Sequence, residues 1–359
     1  MAISIKITKT TQSRISECDF NNIKFGNIFS DHMFVVDYED GEWKNAEILP
    51  FGNLSLSPST FALHYGQAIF EGMKAFINNN GEAQLFRPLD NWKRLNLSAK
   101  RMGMAELPAD IFMDGLSKLV EIDKQWIPTL PGSALYIRPF MFAADNYVGV
   151  RTALKFKFVI FTCPVNAYYP KPLRVLVEQK YVRAFNGGVG NVKAAGNYAI
   201  SMLPTTEANN KGFDQIIWTD GNEHKYVEES GTMNVFFVIG KKVITPNLDG
   251  TILAGITRDS CIKLLKSEGY EVEERKVSID EIIEAHKNGL LNDAFGTGTA
   301  AIVAKIATFN HNGIDYNLPD VNTREVSNFL YKQLNAIQTG NAEDKFDWNL
   351  PIRNAAINI

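Results

Sequence analysis

Lys193 lies in the run Asn186-Gly187-Gly188-Val189-Gly190-Asn191-Val192-Lys193-Ala194-Ala195-Gly196-Asn197-Tyr198. Four glycines and two alanines share the run with it, and no second charge does. Small residues let a backbone and a ligand approach closely. They also leave space beside the lysine for a bulky group. Desolvation favours a neutral amine, and a neutral lysine amine is a nucleophile that condenses with a carbonyl. An exposed lysine in a flexible glycine loop would have the same local sequence, so the run alone leaves both readings open.

Other segments carry compatible chemistry. Glu228 and Glu229 stand in Tyr226-Val227-Glu228-Glu229-Ser230-Gly231-Thr232-Met233-Asn234, after the turn signal Asp220-Gly221-Asn222. Both fall near a hairpin, either as solvated loop carboxylates or as part of a polar site. Gly255-Ile256-Thr257-Arg258 places a glycine and a threonine at a helix start. Free N–H groups, a hydroxyl and the positive end of the helix dipole make a phosphate cradle, or an ordinary threonine cap. Phe295-Gly296-Thr297-Gly298-Thr299-Ala300-Ala301 repeats the pairing of glycine with hydroxyl. Arg87 and Arg94 bracket a helix start. Arg138, mid-strand in Leu135-Tyr136-Ile137-Arg138-Pro139, faces an anion or solvent. Several motifs are absent. Val192 precedes the lysine where a phosphate loop needs glycine, the glycines make no dinucleotide fingerprint, and there is no GxSxG. The five histidines have no metal-ligand spacing, so no metal site is expected.

The elements that must hold these groups are short and mixed. Strands are expected at 32–38, 72–77, 83–86, 135–142, 155–162, 173–178, 215–219, 235–239 and 242–244. Asn78-Asn79-Asn80-Gly81 marks a hairpin. A helix from Pro88, with Leu95, Ala99 and Met102 on one stripe, stops at Gly103. A second runs from Asp110, as N-cap, to Asp123. Later helices are expected at 193–208, 257–268, 278–288 and 323–338. Three prolines within 164–172 argue against helix or central strand there. That segment is the candidate interdomain linker. The expected division is 1–165, a linker at 166–173, and 174–359, with α/β or α+β character in both halves.

Composition narrows the class. The 359 residues suffice for two domains. A net charge of -3, with no dense basic run, gives no sign of a nucleic-acid or membrane partner. Cys18, Cys163 and Cys261 are odd in number and scattered, which fits a reducing compartment. No apolar stretch reaches spanning length and no signal-peptide core stands at the start, so a cytoplasmic location is expected.

The assembled motifs resemble the branched-chain-amino-acid aminotransferases, class IV enzymes of PLP fold type IV. The resemblance covers nearly the whole chain. It rests on Leu63-His64-Tyr65-Gly66, Phe70-Glu71-Gly72-Met73-Lys74-Ala75-Phe76, Arg87-Pro88 with Arg94, Tyr136-Ile137-Arg138-Pro139, the glycine run before Lys193, Glu229-Ser230-Gly231-Thr232-Met233-Asn234 and Gly296-Thr297-Gly298-Thr299-Ala300. It implies two domains: a smaller N-terminal α/β domain and a larger C-terminal domain with a β-barrel-like core. The active site would lie in the cleft between them.

The same resemblance implies roles. Lys193 would carry pyridoxal 5'-phosphate (PLP) as an imine and act as catalytic base. Glu229, two residues before Gly231, would meet the pyridine nitrogen, in preference to Glu228. Tyr198 would bond the ring's phenolic oxygen. Arg94, Ile256, Thr257 and Thr299 would hold the phosphate, and Thr232 would touch both cofactor and substrate. Phe29, Tyr65, Phe70, Tyr136, Tyr168, Thr232 and Ala300 would wall the substrate pocket, with Arg138 assisting at the γ-carboxylate of glutamate. Val148 and Val150 would close the pocket of a second subunit, implying a homodimer. Tyr168 would make the linker a lid. Amino groups would pass from leucine, isoleucine or valine to 2-oxoglutarate, giving branched 2-oxo acids and glutamate. Mammalian members carry a redox CxxC where this chain has Ala301 and Ala304, so that regulation is not expected. Other fold-type-IV enzymes, D-amino-acid aminotransferase and aminodeoxychorismate lyase, are the nearest rivals. A non-catalytic PLP-binding protein is the rival from another class.

Overall fold

The computed structural model describes residues 3–169 and 171–352. Pro170, within the expected linker, lies outside the described residues. The described chain falls into two compact units. One comprises the described parts of Met1–Tyr168, Lys193–Ala195 and Asn335–Ile359; the other comprises those of Tyr169–Val192 and Gly196–Leu334. The division therefore differs from the expected 1–165 and 174–359, and the first unit is the larger. The reason is a long-range pairing: Asn349–Pro351 adds antiparallel to Ala83–Phe86.

The first unit is a nine-stranded sheet, antiparallel apart from the short pairing of Lys6–Ile7 with Glu42–Pro50. Ala134–Ala143 pairs with Phe156–Val165 along its full length. That second strand runs through Pro164 to Val165, past its expected end at 162, so the first of the three prolines lies inside a central strand and not in the linker. Helices Pro88–Arg101 and Ala109–Ile122 bury apolar faces on the sheet. Leu95, Ala99, Phe112, Leu116 and Leu119 are fully buried and share a core with Phe34, Ile48 and Phe158. Pro88 opens its helix, as its fixed φ and missing N–H allow. The second helix is capped by Pro108 instead of Asp110, whose carboxylate accepts from the Ile111 N–H inside the first turn.

The second unit is built on a closed six-stranded barrel. Val227–Ser230, Gln215–Thr219, Leu173–Val177, Ile302–His311, Leu291–Gly298 and Met233–Ile239 pair in that order, and the last returns to the first. Val175, Ile217, Val235, Phe237 and Ile306 belong to its core. Helix Ile279–Lys287 packs Ile279, Ile282 and Ile283 onto it. Its start carries a capping hydrogen bond from the Glu281 N–H to the Ser278 hydroxyl.

One expected element is replaced. The helix expected over 193–208 is instead an extended stretch followed by helices Gly196–Ala199 and Met202–Asn210. Ala194 forms an isolated antiparallel bridge with Ile69. The Phe70 N–H donates to the Lys193 carbonyl, and the Ala195 N–H donates to the Ala68 carbonyl. Those groups make strand-type bonds and are not free for a helix ladder.

Candidate active site

Within the first unit, Lys193 is half-buried. Its ammonium sits 4.7 Å from the centroid of the Phe70 ring. Its backbone N–H donates to the Ser98 hydroxyl at 3.0 Å. Ser98 lies one turn after Arg94 on the same helix. Arg94 donates through Nε and Nη2 to the two oxygens of Glu71, at 2.7 and 2.8 Å. Glu71 is fully buried and also accepts from Asn91 at 2.9 Å. A buried two-point pair of this kind fixes the guanidinium plane.

Tyr136 and Arg138 are two apart on one strand, so they share a face. Arg138 Nη2 donates to the Tyr136 hydroxyl at 3.0 Å, and its guanidinium carbon lies 4.6 Å from the Phe70 ring centroid. Its buried Nε has no hydrogen-bond partner among the described residues. Phe25 packs edge-on against both Tyr136 and Tyr168, at 5.0 and 5.1 Å. Phe29 instead stacks on Phe51 and meets Phe161. Tyr65 packs on Phe61. Lys74 stands opposite Tyr136 in the sheet register, and burial pushes its ammonium down to about 8. Val148 and Val150 are exposed.

Within the second unit, Glu229 and Glu228 occupy the buried strand Val227–Ser230, not a solvated loop. The turn at Gly231-Thr232 sets Glu229 opposite Asn234. These cross-strand partners hold one residue from both sides. The Leu253 N–H donates to Glu229 at 2.9 Å, and Asn234 donates to the Leu253 carbonyl at 2.9 Å. Arg183 Nε pairs with the other Glu229 oxygen at 3.0 Å. The same guanidinium donates to the carbonyls of Thr251 and Gly190. A Cβ at Gly190 would fall 2.3 Å from the Ala184 Cβ and 2.4 Å from the Thr251 oxygen, so only glycine fits. Glu228 differs from its neighbour: its Oε2 is buried without a partner among the described residues, and burial pushes the carboxyl up to about 7.

Helix Ile256–Ser267 starts three residues beyond the clamped Leu253, and Gly255 supplies no side-chain cap. A Cβ at Gly255 would lie 1.9 Å from the Asn234 side-chain oxygen. Thr257 is buried in the first turn. Thr299 and Ala300 form the turn after strand Leu291–Gly298, and Ile302 follows at φ 62. A β-branched residue in the left-handed region is strained, a cost of about 1–3 kcal/mol that clusters at functional sites. Tyr198 is half-buried within the helix Gly196–Ala199, and Thr232 is exposed.

The family model for class IV amino-transferases matches residues 68–301. The branched-chain-amino-acid aminotransferase 2 of Bacillus subtilis (strain 168) is 43% identical over 354 residues, covering 98% of this chain and 97% of that protein. The chain belongs to the class IV aminotransferases. Among solved structures, the branched-chain amino acid aminotransferase from Escherichia coli superposes with a TM-score of 0.73 at 26% identity, covering 90% of this chain and 99% of that one. The branched-chain amino acid aminotransferase from Thermobaculum terrenum in its PLP form gives a TM-score of 0.70 at 25% identity, covering 89% and 98%.

Class IV aminotransferases are PLP enzymes, and the residues present suit that cofactor. An amine, a buried carboxylate held by a cation, an arginine and an uncapped helix start are the groups that an aldehyde, a basic ring nitrogen and a phosphate require. Three contributors were not singled out for a role from sequence: Glu71, Arg183 and Ser98. Glu71 carried a signal, a carboxylate inside an apolar run. Arg183 and Ser98 carried none, since their partners are remote in sequence.

Proposed function

We propose that the protein is a branched-chain-amino-acid transaminase, moving the amino group of L-leucine, L-isoleucine or L-valine to 2-oxoglutarate. One observation carries this: 43% identity to a branched-chain enzyme extends over 98% of the chain, so each segment bearing a site residue lies in the match. PLP, when bound, supplies a reactive carbonyl and an electron sink for charge developing at the substrate Cα. Lys193 would hold the cofactor through its ε-amine, and that amine, freed when the substrate's amino group takes its place, would take the Cα proton as base and deliver it to the cofactor side as acid. Glu229 would accept a hydrogen bond from a protonated ring nitrogen. Tyr198 would donate to the phenolic oxygen. Arg94, the helix start at Ile256 and Thr257, and Thr299 would hold the phosphate, and Thr232 would touch both cofactor and substrate.

Phe29, Tyr65, Phe70, Tyr136, Tyr168 and Ala300 bury the aliphatic side chain, at roughly 1.5–3 kcal/mol for a Leu, Ile or Val. Arg138, with its unpartnered buried Nε, meets the γ-carboxylate of the alternate substrate. Tyr168 serves as a lid residue. The exposed Val148 and Val150 face a second copy in a homodimer. We place the protein in the cytoplasm. Its described cysteines form no disulfide, and no described helix is long and apolar enough to cross a membrane. Steady-state assays with L-leucine, L-isoleucine, L-valine, D-alanine and aminodeoxychorismate test the reading. Turnover of the three L-amino acids is expected; turnover confined to either of the last two would replace it.

A further inference from the structure

Lys193 and Arg94 are far apart in sequence, yet one buried hydroxyl joins them. Ser98 is fully buried. Its Oγ donates to the Arg94 carbonyl at 3.0 Å, one turn back along the helix. The hydroxyl hydrogen is thereby committed, and its lone pairs accept the Lys193 N–H at 3.0 Å. Arg94 is itself immobilised by Glu71, which Asn91 also holds. On the other side of Lys193, Ala68 and Phe70 fix the chain through the bonds to Ala195 and Lys193. The lysine backbone is therefore pinned from two directions, and Ser98 is the link to the helix that bears the arginine.

We propose that Ser98 is a positioning residue that sets the lysine amine relative to the phosphate-binding arginine. This rests on the reading of Lys193 as the PLP-bearing residue. Misplacement of a reacting group by about 1 Å can cost about 10²-fold in rate, so loss of the hydroxyl acts on attachment and turnover, not on substrate affinity.

The test uses full-length wild type, Ser98→Ala and Ser98→Cys. Cysteine fills the space, and its sulfur is a weak acceptor. Apo protein is mixed with PLP, quenched with borohydride at intervals, and the Lys193 peptide is measured by mass. For both variants the attachment rate is expected to fall about tenfold or more. A kcat lower by about 10–100-fold, with KM for L-leucine within about threefold, should accompany it, while the apo protein keeps a cooperative thermal transition. Wild-type attachment and kcat in Ser98→Cys would overturn the proposal, whether or not Ser98→Ala folds, since packing alone would then explain the serine. Absence of any adduct on Lys193 in wild type would instead refute the reading of the lysine.

Discussion

Glu229 receives N–H groups from Arg183 and Leu253, whereas its neighbour Glu228 keeps an oxygen buried without a partner among the described residues. The difference has a thermodynamic consequence. Burial raises the Glu228 carboxyl from 4.5 to about 7. Between those values the folded protein holds a proton that the unfolded chain has released. Stability therefore falls as pH rises through that interval, and is level above it. Glu228→Gln removes the effect. Denaturant unfolding should find wild type and variant similar near pH 4 and the variant more stable by about 3 kcal/mol near pH 8. An equal difference at both pH values would contradict this assignment. At this scale the sequence was legible where a residue type is costly in its setting: a lysine among glycines, or an arginine in a strand. It was not legible for Ser98 or Arg183, which are ordinary residues whose partners come from segments far along the chain.

Strand register positions Glu229, Phe70, Tyr136 and Arg138. Hairpin geometry puts Glu229 across from Asn234, and those two side chains hold Leu253, which leads into the helix start at Ile256. Gly255→Ala pushes a Cβ into the Asn234 oxygen. The asparagine must swing away from Leu253, at about 1–3 kcal/mol. Lower thermal stability and faster PLP loss on dialysis are expected. Gly52→Ala, whose added Cβ would meet only the Pro50 carbonyl oxygen at 3.9 Å, should change neither. Matching behaviour of the two variants would mean that the turn does not shape the phosphate site. Element boundaries read from periodicity held for Gln215–Thr219 and Ala83–Phe86, which carry clean strand signals. The reading failed at 193–208, where helix-compatible residues are drawn into strand-type bonds with Ala68 and Phe70. Local propensity cannot register a partner so distant in sequence.

For the whole molecule, fold class was legible through ordered motifs, and the division into units was not. The pairing of Asn349–Pro351 with Ala83–Phe86 has no local signature. Val148 and Val150, on either side of Gly149, are 64% and 91% exposed, and the proposed homodimer would cover them. Val150→Asp is expected to shift sedimentation towards monomer and lower specific activity on dilution; unchanged sedimentation would count against that interface. Transfer of amino groups through PLP held on Lys193 is tested most directly by the isolated half-reaction: purified protein mixed with L-leucine and no acceptor. Loss of the yellow band with one equivalent of the branched 2-oxo acid per site is expected, with recovery on adding 2-oxoglutarate, and neither in Lys193→Ala. A colourless wild type, or a Lys193→Ala protein that still completes the cycle at wild-type rate, would contradict it.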